Sequence, residues 1–270
     1  ILLSYKEKIM DKSLNGKTAI VCGSTDGIGK STAILMANRG CQIILVARDQ
    51  DKLDITLSEL NEDNNHSYVR ANFDKPDELK ENISIALKSL NKPVDILVNN
   101  SGGPHGGPLI EANEDEFRIA FERLLICNHI LAKAVVPGMK EMKCGRIINI
   151  ISTSIRQVIA GLGVSNTIRG SVAQWGKSLA LELGEFGITV NNVLPGYTST
   201  SRLKELAKNK SKSTGISEED LYKLWGNNTS LKRLGVPEEI AEGIAFLASD
   251  ASSYINGHNL SIDGGRFGGA

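Results

Sequence analysis

The chain has 270 residues, and its 31 basic side chains balance its 31 acidic ones, so no cationic face for nucleic acid is implied. It contains no apolar run near the roughly 20 residues that span a bilayer. The four cysteines (Cys22, Cys41, Cys127 and Cys144) form no C-x-x-C pair, so they read as free thiols of a cytoplasmic protein.

At the start, Ile1-Leu2-Leu3 precedes Lys6, Glu7 and Lys8, the reverse of a signal peptide's order. Met10 reads as an alternative start, residues 1–12 as a leader, 13–265 as the domain and 266–270 as a tail. Residues 18–22 form a short apolar strand. A turn with glycines at 23, 27 and 29 follows, and a helix opens near Ile28 and stops at Gly40. Residues 41–47 are a second strand, nearly all apolar, as in a parallel sheet covered on both faces. Helix (51–62), strand (67–71), helix (75–90), strand (94–100), helical segments (114–143), strand (145–151), helix (165–185) and strand (188–194) follow, with a seventh strand at 259–263. Alternation of this kind predicts one doubly wound α/β domain, its sheet mostly parallel and its helices on both faces. Residues 201–230 break the pattern: they are polar and lysine-rich, with Leu203, Leu206, Leu221, Leu224 and Trp225 at helical spacing. They predict a pair of surface helices that can act as a lid over the strand ends, where such sheets bind ligands.

The glycine turn carries the first chemistry. Glycines let the backbone turn tightly and approach a diphosphate, which the N–H groups and positive dipole of a helix N-terminus then meet. The spacing is G-x-x-x-G-x-G, not the dinucleotide fingerprint G-x-G-x-x-G, and this variant resembles the short-chain dehydrogenase/reductase family. Further stretches carry the resemblance over residues 14–265: Asn99-Asn100-Ser101-Gly102 after the fourth strand, Gly145 to Ser152 at the fifth, and Asn191 to Gly196 after the sixth. Gly235-Val236-Pro237 through Ile255-Asn256-Gly257 to Asp263-Gly264-Gly265 completes it.

The resemblance implies a Rossmann-type domain, similar to the 3-oxoacyl carrier-protein reductases, that binds NAD(P) across its strand ends. Gly23, Ser24, Thr25, Gly27 and Ile28 are then expected at the diphosphate and its ribose, Asn72 and Phe73 beside the adenine, and Asn99, Ser101 and Gly102 at the nicotinamide-side ribose. Pro195, Gly196, Thr198 and Thr200 are expected near the carboxamide. Family members that prefer NAD carry an acid at the end of the second strand; here Ala47 and Arg48 stand there, and a guanidinium can clamp a 2′-phosphate. NADPH is therefore expected ahead of NADH, with Asp26 a counter-signal. No metal is expected.

The family's proton relay (Asn, Ser, Tyr and Lys) is mostly replaced. Ser152 keeps its place, but the tyrosine position falls on Ser165, the lysine position on Arg169 and the asparagine position on Leu124, with Asn128 one turn later. A phenol with a pKa near 10 can be tuned toward neutrality by an adjacent cation, whereas a serine hydroxyl is a far weaker acid. Arginine, with a pKa above about 12, is a poor proton carrier. Ser165 and Arg169 lie one turn apart on one helix face and read as a cofactor-positioning pair beside Ser152. His105, in a glycine-rich loop after the fourth strand, and Tyr197, after Pro195-Gly196, are the alternative proton donors; Arg156 can bind an anionic or carbonyl substrate.

Three functions fit: an NADP(H)-dependent oxidoreductase acting on a small carbonyl or hydroxy compound with a non-standard relay, a nucleotide-binding sensor or scaffold without turnover, and a lyase or isomerase on the same scaffold. By analogy a homodimer or homotetramer is expected, with neither nucleic acid nor membrane as a partner. Phe117, Phe121, Leu124, Leu125, Trp175, Leu179 and Leu183 would supply apolar interface, unless they face the sheet.

Overall fold

The computed structural model describes residues 12–61 and 64–267. The expected leader, Lys12 apart, and residues 268–270 of the tail lie outside the described residues. Strands β1 (Thr18–Cys22), β2 (Gln42–Ala47), β3 (Ser67–Arg70), β4 (Ile96–Asn99), β5 (Gly145–Ile150), β6 (Ile188–Pro195) and β7 (Asn259–Ile262) form one sheet of seven strands in the order β3-β2-β1-β4-β5-β6-β7. Every neighbouring pair is parallel. The chain winds outward in opposite directions from β1 and β4, so the crevice beyond their carboxyl ends is the topological switch point.

The helices are α1 (Gly27–Asn38), α2 (Gln50–Ser58), α3 (Pro76–Lys88), α4 (Glu114–Phe121), α5 (Cys127–Met142), α6 (Gly163–Leu183), α7 (Ser201–Thr214), α8 (Glu218–Asn227) and α9 (Pro237–Ala248). Alternation of side chains along each strand divides the core. Ala19, Val21, Ile43 and Leu45 bury one face under Met36 and Ala37 of α1 and Ile240 and Ile244 of α9. Ile20, Ile44, Leu97 and Ile147 bury the other under Leu79 of α3, Leu131 and Met139 of α5, and Leu183 of α6. Both faces are thus apolar, as the continuous apolar strands require.

A π-helical turn, Glu122–Ile126, joins α4 to α5. The polar stretch after β6 folds as the helix pair α7 and α8, which bury Leu203, Ala207, Leu221 and Trp225 in a small cluster of their own. Of the expected interface residues, Leu124 and Leu183 are buried in the core.

A line of amides crosses the sheet from the carboxyl end of β4 to the first residue of β7. Asn99, Asn149, Asn192 and Asn259 stand in register on β4, β5, β6 and β7. Asn99 donates to Asn149 at 2.9 Å, Asn149 to Asn192 at 2.9 Å, and Asn192 to Asn259 at 2.8 Å. A buried amide is tolerated only when bonded, so the ladder fixes the register of four strands. α6 clears it with Gly176, where a Cβ would stand 2.8 Å from Asn192 Oδ1 and 2.9 Å from Asn149 Nδ2. Gly176→Ala should therefore cost about 1–3 kcal/mol by overpacking, lowering the thermal midpoint by about 2–4 °C for each kcal/mol. An unchanged midpoint would show that the ladder yields freely.

Candidate active site

The glycine turn sits at the switch point. Gly23 and Gly27 have φ of +57° and +48°, a region that L side chains resist. At Gly29 a Cβ would lie 2.1 Å from the Gly23 carbonyl oxygen, so only glycine lets α1 close onto the turn. Asn100, just past β4, donates its amide to the carbonyls of Cys22 and Gly23 at 3.3 and 3.5 Å, which latches the turn to the neighbouring strand. Ser24 is fully buried and its hydroxyl donates to the Val46 carbonyl at 3.4 Å, so its side chain holds the turn against β2. Asp26 caps α1 by accepting from the Gly27 N–H at 2.8 Å and also accepts from the Ser201 hydroxyl. That bond ties the first turn of α7 to the first turn of α1.

At the ends of β2 and β3, Arg48 is exposed. Arg70, paired in register with Ala47, donates Nε to the Arg48 carbonyl at 3.3 Å. Two arginines thus stand at the ends of these neighbouring strands, where the sequence points to one. Asn72 turns its Oδ1 onto the Asp74 N–H at 3.0 Å, and Phe73 is buried, its carbonyl accepting from the Cys127 thiol at 3.3 Å. Burial pushes the Cys22 thiol up, and the Cys41 and Cys127 thiols up to about 12, so none of the three is a thiolate near neutral pH.

At the other end of the crevice Asn99, Asn100, Ser101, Leu124, Asn128, Ile150, Arg169 and Val172 line a narrow cavity. Leu124 and Asn128 both reach it, on either side of the junction between the π turn and α5. Asn99 Oδ1 is buried there without a partner. The Arg169 guanidinium donates Nε to Ser165 Oγ at 3.3 Å and Nη1 to the carbonyls of Ile150 and Ile151 at 3.2 and 2.7 Å. Burial, and then the nearby charge of Arg202, push its pKa down to about 10. It is still a cation at neutral pH and carries no proton traffic. Ser152, the next residue after Ile151, accepts from the Ser154 N–H at 3.1 Å. Ser152, Ser165 and Arg169 thus form one group, joined through the end of β5.

The other candidates lie elsewhere. His105 is exposed on the loop after β4 and makes no hydrogen bond with the described residues. Tyr197 stacks on Trp225 with centroids 5.2 Å apart, under Arg266 at 4.1 Å, and burial raises its pKa. A packed phenol moved away from neutrality is ill suited to proton transfer, so its part is to hold α8 and the C-terminal segment. Gly196 is forced: a Cβ there would stand 2.6 Å from Asp263 Cα. It leads from Pro195 into Thr198, whose hydroxyl donates to the Gly196 carbonyl at 3.2 Å, while Thr200 caps α7. Arg156 donates to the Asn259 carbonyl at 3.2 Å, beside the sheet edge. Asn100, Arg70 and Arg202 escaped the sequence reading. Arg70 is the last residue of β3, as Arg48 directly follows β2, and was the legible one.

Residues 23–266 match the family model described as enoyl-(acyl carrier protein) reductase. The 3-oxoacyl-[acyl-carrier-protein] reductase of Vibrio cholerae is 34% identical over 258 residues, covering 94% of this chain and 99% of that protein. The 2-dehydro-3-deoxy-D-gluconate 5-dehydrogenase of Formosa agariphila is 30% identical, with 93% of each chain covered. Among solved structures, L-sorbose reductase from Gluconobacter frateurii, complexed with NADPH and L-sorbose, superposes with a TM-score of 0.89 at 29% identity, covering 97% of this chain and all of the other. With its glycine turn at the switch point of a parallel seven-stranded sheet and these matches along nearly its whole length, the chain belongs to the short-chain dehydrogenase/reductase family of oxidoreductases.

Proposed function

We propose that this protein is an NADP(H)-dependent oxidoreductase that interconverts a carbonyl and a hydroxyl group on a small molecule, with a relay that has no tyrosine. The observation that carries the reading is the pairing of the latched glycine turn with two arginines at the edge of the crevice. The cradle that Gly23, Gly27 and Gly29 leave fits a diphosphate, and helix α1 points its N-terminus at it. Arg48 would clamp the 2′-phosphate, with Arg70 beside it, since two guanidinium groups favour that group over a bare hydroxyl. Asn72 and Phe73 would flank the adenine. Asn99, Ser101, Gly102 and Arg169 would line the nicotinamide-side ribose, and Pro195, Gly196 and Thr198 the carboxamide. Relatives named as an acyl-carrier-protein reductase, a sugar-acid dehydrogenase and a sugar reductase support carbonyl or hydroxyl chemistry.

When bound, the nicotinamide supplies or accepts the hydride. The Ser152 hydroxyl would hold the substrate oxygen, and the positive field of Arg169 would stabilise charge that develops there. With Ser165 too weak an acid and Tyr197 engaged elsewhere, the proton would come from water at the mouth of the crevice. A second reading, nucleotide binding without turnover, is favoured by one feature: Arg169 spends two of its nitrogens on Ser165 and main-chain carbonyls. The same family reading makes the protein a homodimer or homotetramer, with the exposed Ile119, Phe121 and Leu181 of α4 and α6 as candidate interface residues.

Titration by nicotinamide fluorescence should give NADPH affinity at least about tenfold tighter than NADH, and Arg48→Ala should erase most of that difference, since one charge-assisted contact is worth about 1.5–3 kcal/mol. Equal affinities in the wild type would remove the NADP assignment; no binding of either nucleotide would remove the oxidoreductase reading. Asn100→Ala should weaken both nucleotides alike, by about tenfold, through loss of the latch. Unchanged affinity would show that the turn holds itself.

A further inference from the structure

A second arginine faces the inner end of the crevice and has no part in the cofactor reading. Arg202 stands in the first turn of α7 and donates Nη2 to the Pro104 carbonyl, closing that turn over the loop after β4. Among the described residues its carboxylate partner is Glu205 on the same helix, at 2.8 Å and partly exposed. Arg169 approaches the same loop from α6. The point where a side chain on Gly103 would begin lies 3.4 Å from Arg169 Nη2 and 3.8 Å from Arg202 Nη2. Arg169 Nη2 and Arg202 Nε make no hydrogen bond with the described residues.

Several features make this locus positive beyond the two charges. A helix N-terminus repels cations and favours acids, yet the first turn of α7 carries Arg202 and no acidic residue, its cap being the neutral Thr200. The nearest carboxylate on α1, Asp26, is engaged by the Gly27 N–H and the Ser201 hydroxyl. No carboxylate among the described residues bonds Arg169. Like charges brought together at the edge of a buried cavity raise the free energy of the empty site and lower that of an anion entering it.

We infer that the substrate is an oxo acid, whose carboxylate is received by Arg202 beside Gly103, with the charge of Arg169 behind it. The inference rests on the oxidoreductase reading above and names the substrate class of that same crevice. Arg169 links this locus to the reacting centre. Arg169 Nη1 bonds the Ile151 carbonyl at 2.7 Å, and Ser152, which holds the substrate oxygen, is the next residue. Among straight-chain oxo acids, the 2-oxo and 3-oxo acids, with no carbon or one carbon between the two groups, keep them closest together. Gly103 puts no side chain against the two guanidinium groups, and Arg202, rooted in α7, couples carboxylate capture to the seating of that helix pair.

The test uses the wild-type protein and Arg202→Gln, each first titrated with NADPH. The NADPH complexes are then titrated with a series of straight-chain 2-oxo and 3-oxo acids and the methyl ester of each, read by quenching of nicotinamide fluorescence. In the wild type at least one acid should bind at least about tenfold tighter than its ester. Arg202→Gln should reduce that preference about tenfold or more, while its NADPH affinity stays within about twofold; Arg202→Lys, keeping the charge but not the planar fork, should retain part of it. If NADPH binds but no acid is preferred over its ester, the inference is overturned and the oxidoreductase reading stands. If Arg202→Gln weakens NADPH instead, the arginine serves a cofactor phosphate and the inference is likewise overturned. If NADPH fails to bind the wild type, the underlying reading falls and takes the inference with it.

Discussion

The Asn100 side chain reaches from the end of β4 to the carbonyls of Cys22 and Gly23, and much of the crevice depends on that contact. Parallel strands carry no hairpin to bind one end to the next, so on the β4 side the turn after β1 depends on this latch, as on the β2 side it depends on the Ser24 hydroxyl. With the latch in place, Gly29 closes against Gly23 and α1 starts where its N-terminus points into the crevice. The backbone pays for this with positive φ at Gly23 and Gly27 and with the absence of any side chain that would fill the cradle. An empty cradle at a helix N-terminus is what an anion can occupy.

From there order spreads outward through amides. The ladder from Asn99 to Asn259 fixes the register of β4, β5, β6 and β7, and α6 approaches it closely only because Gly176 lacks a side chain. That approach brings Ser165 and Arg169 to the end of β5 beside Ser152. The same register sets Pro195 and Gly196 opposite the turn, where the chain leaves the sheet for α7. Two further bonds, Ser201 to Asp26 and Arg202 to Pro104, seat that helix across both halves of the crevice. Register, cradle and cover are thus linked by side chains that each bond main chain or one another.

The strands and most helices were legible in the sequence because burial on both sheet faces leaves continuous apolar runs, such as Ile43 to Ala47, that few other arrangements produce. The glycine turn was legible through its spacing. Other features were not, because they depend on tertiary placement. Nothing local marks the asparagine ladder, whose members lie about 50 or more residues apart along most of its length. The π turn at Glu122–Ile126, which brings Leu124 and Asn128 to one cavity, has no composition signal. Arg202 was lost among the lysines of a polar segment, and Tyr197, expected near the chemistry, proved to be packed between Trp225 and Arg266.

On the proposed function, the crevice that holds Ser152, Ser165 and Arg169 supports hydride transfer. The most direct measurement is a single turnover with NADPH deuterated at the reactive carbon, followed by mass analysis of the organic product. The account predicts deuterium in the product alcohol together with loss of reduced-nicotinamide absorbance. Tight NADPH binding with no deuterium transferred to any carbonyl compound offered would contradict it and leave a nucleotide-binding protein without redox turnover.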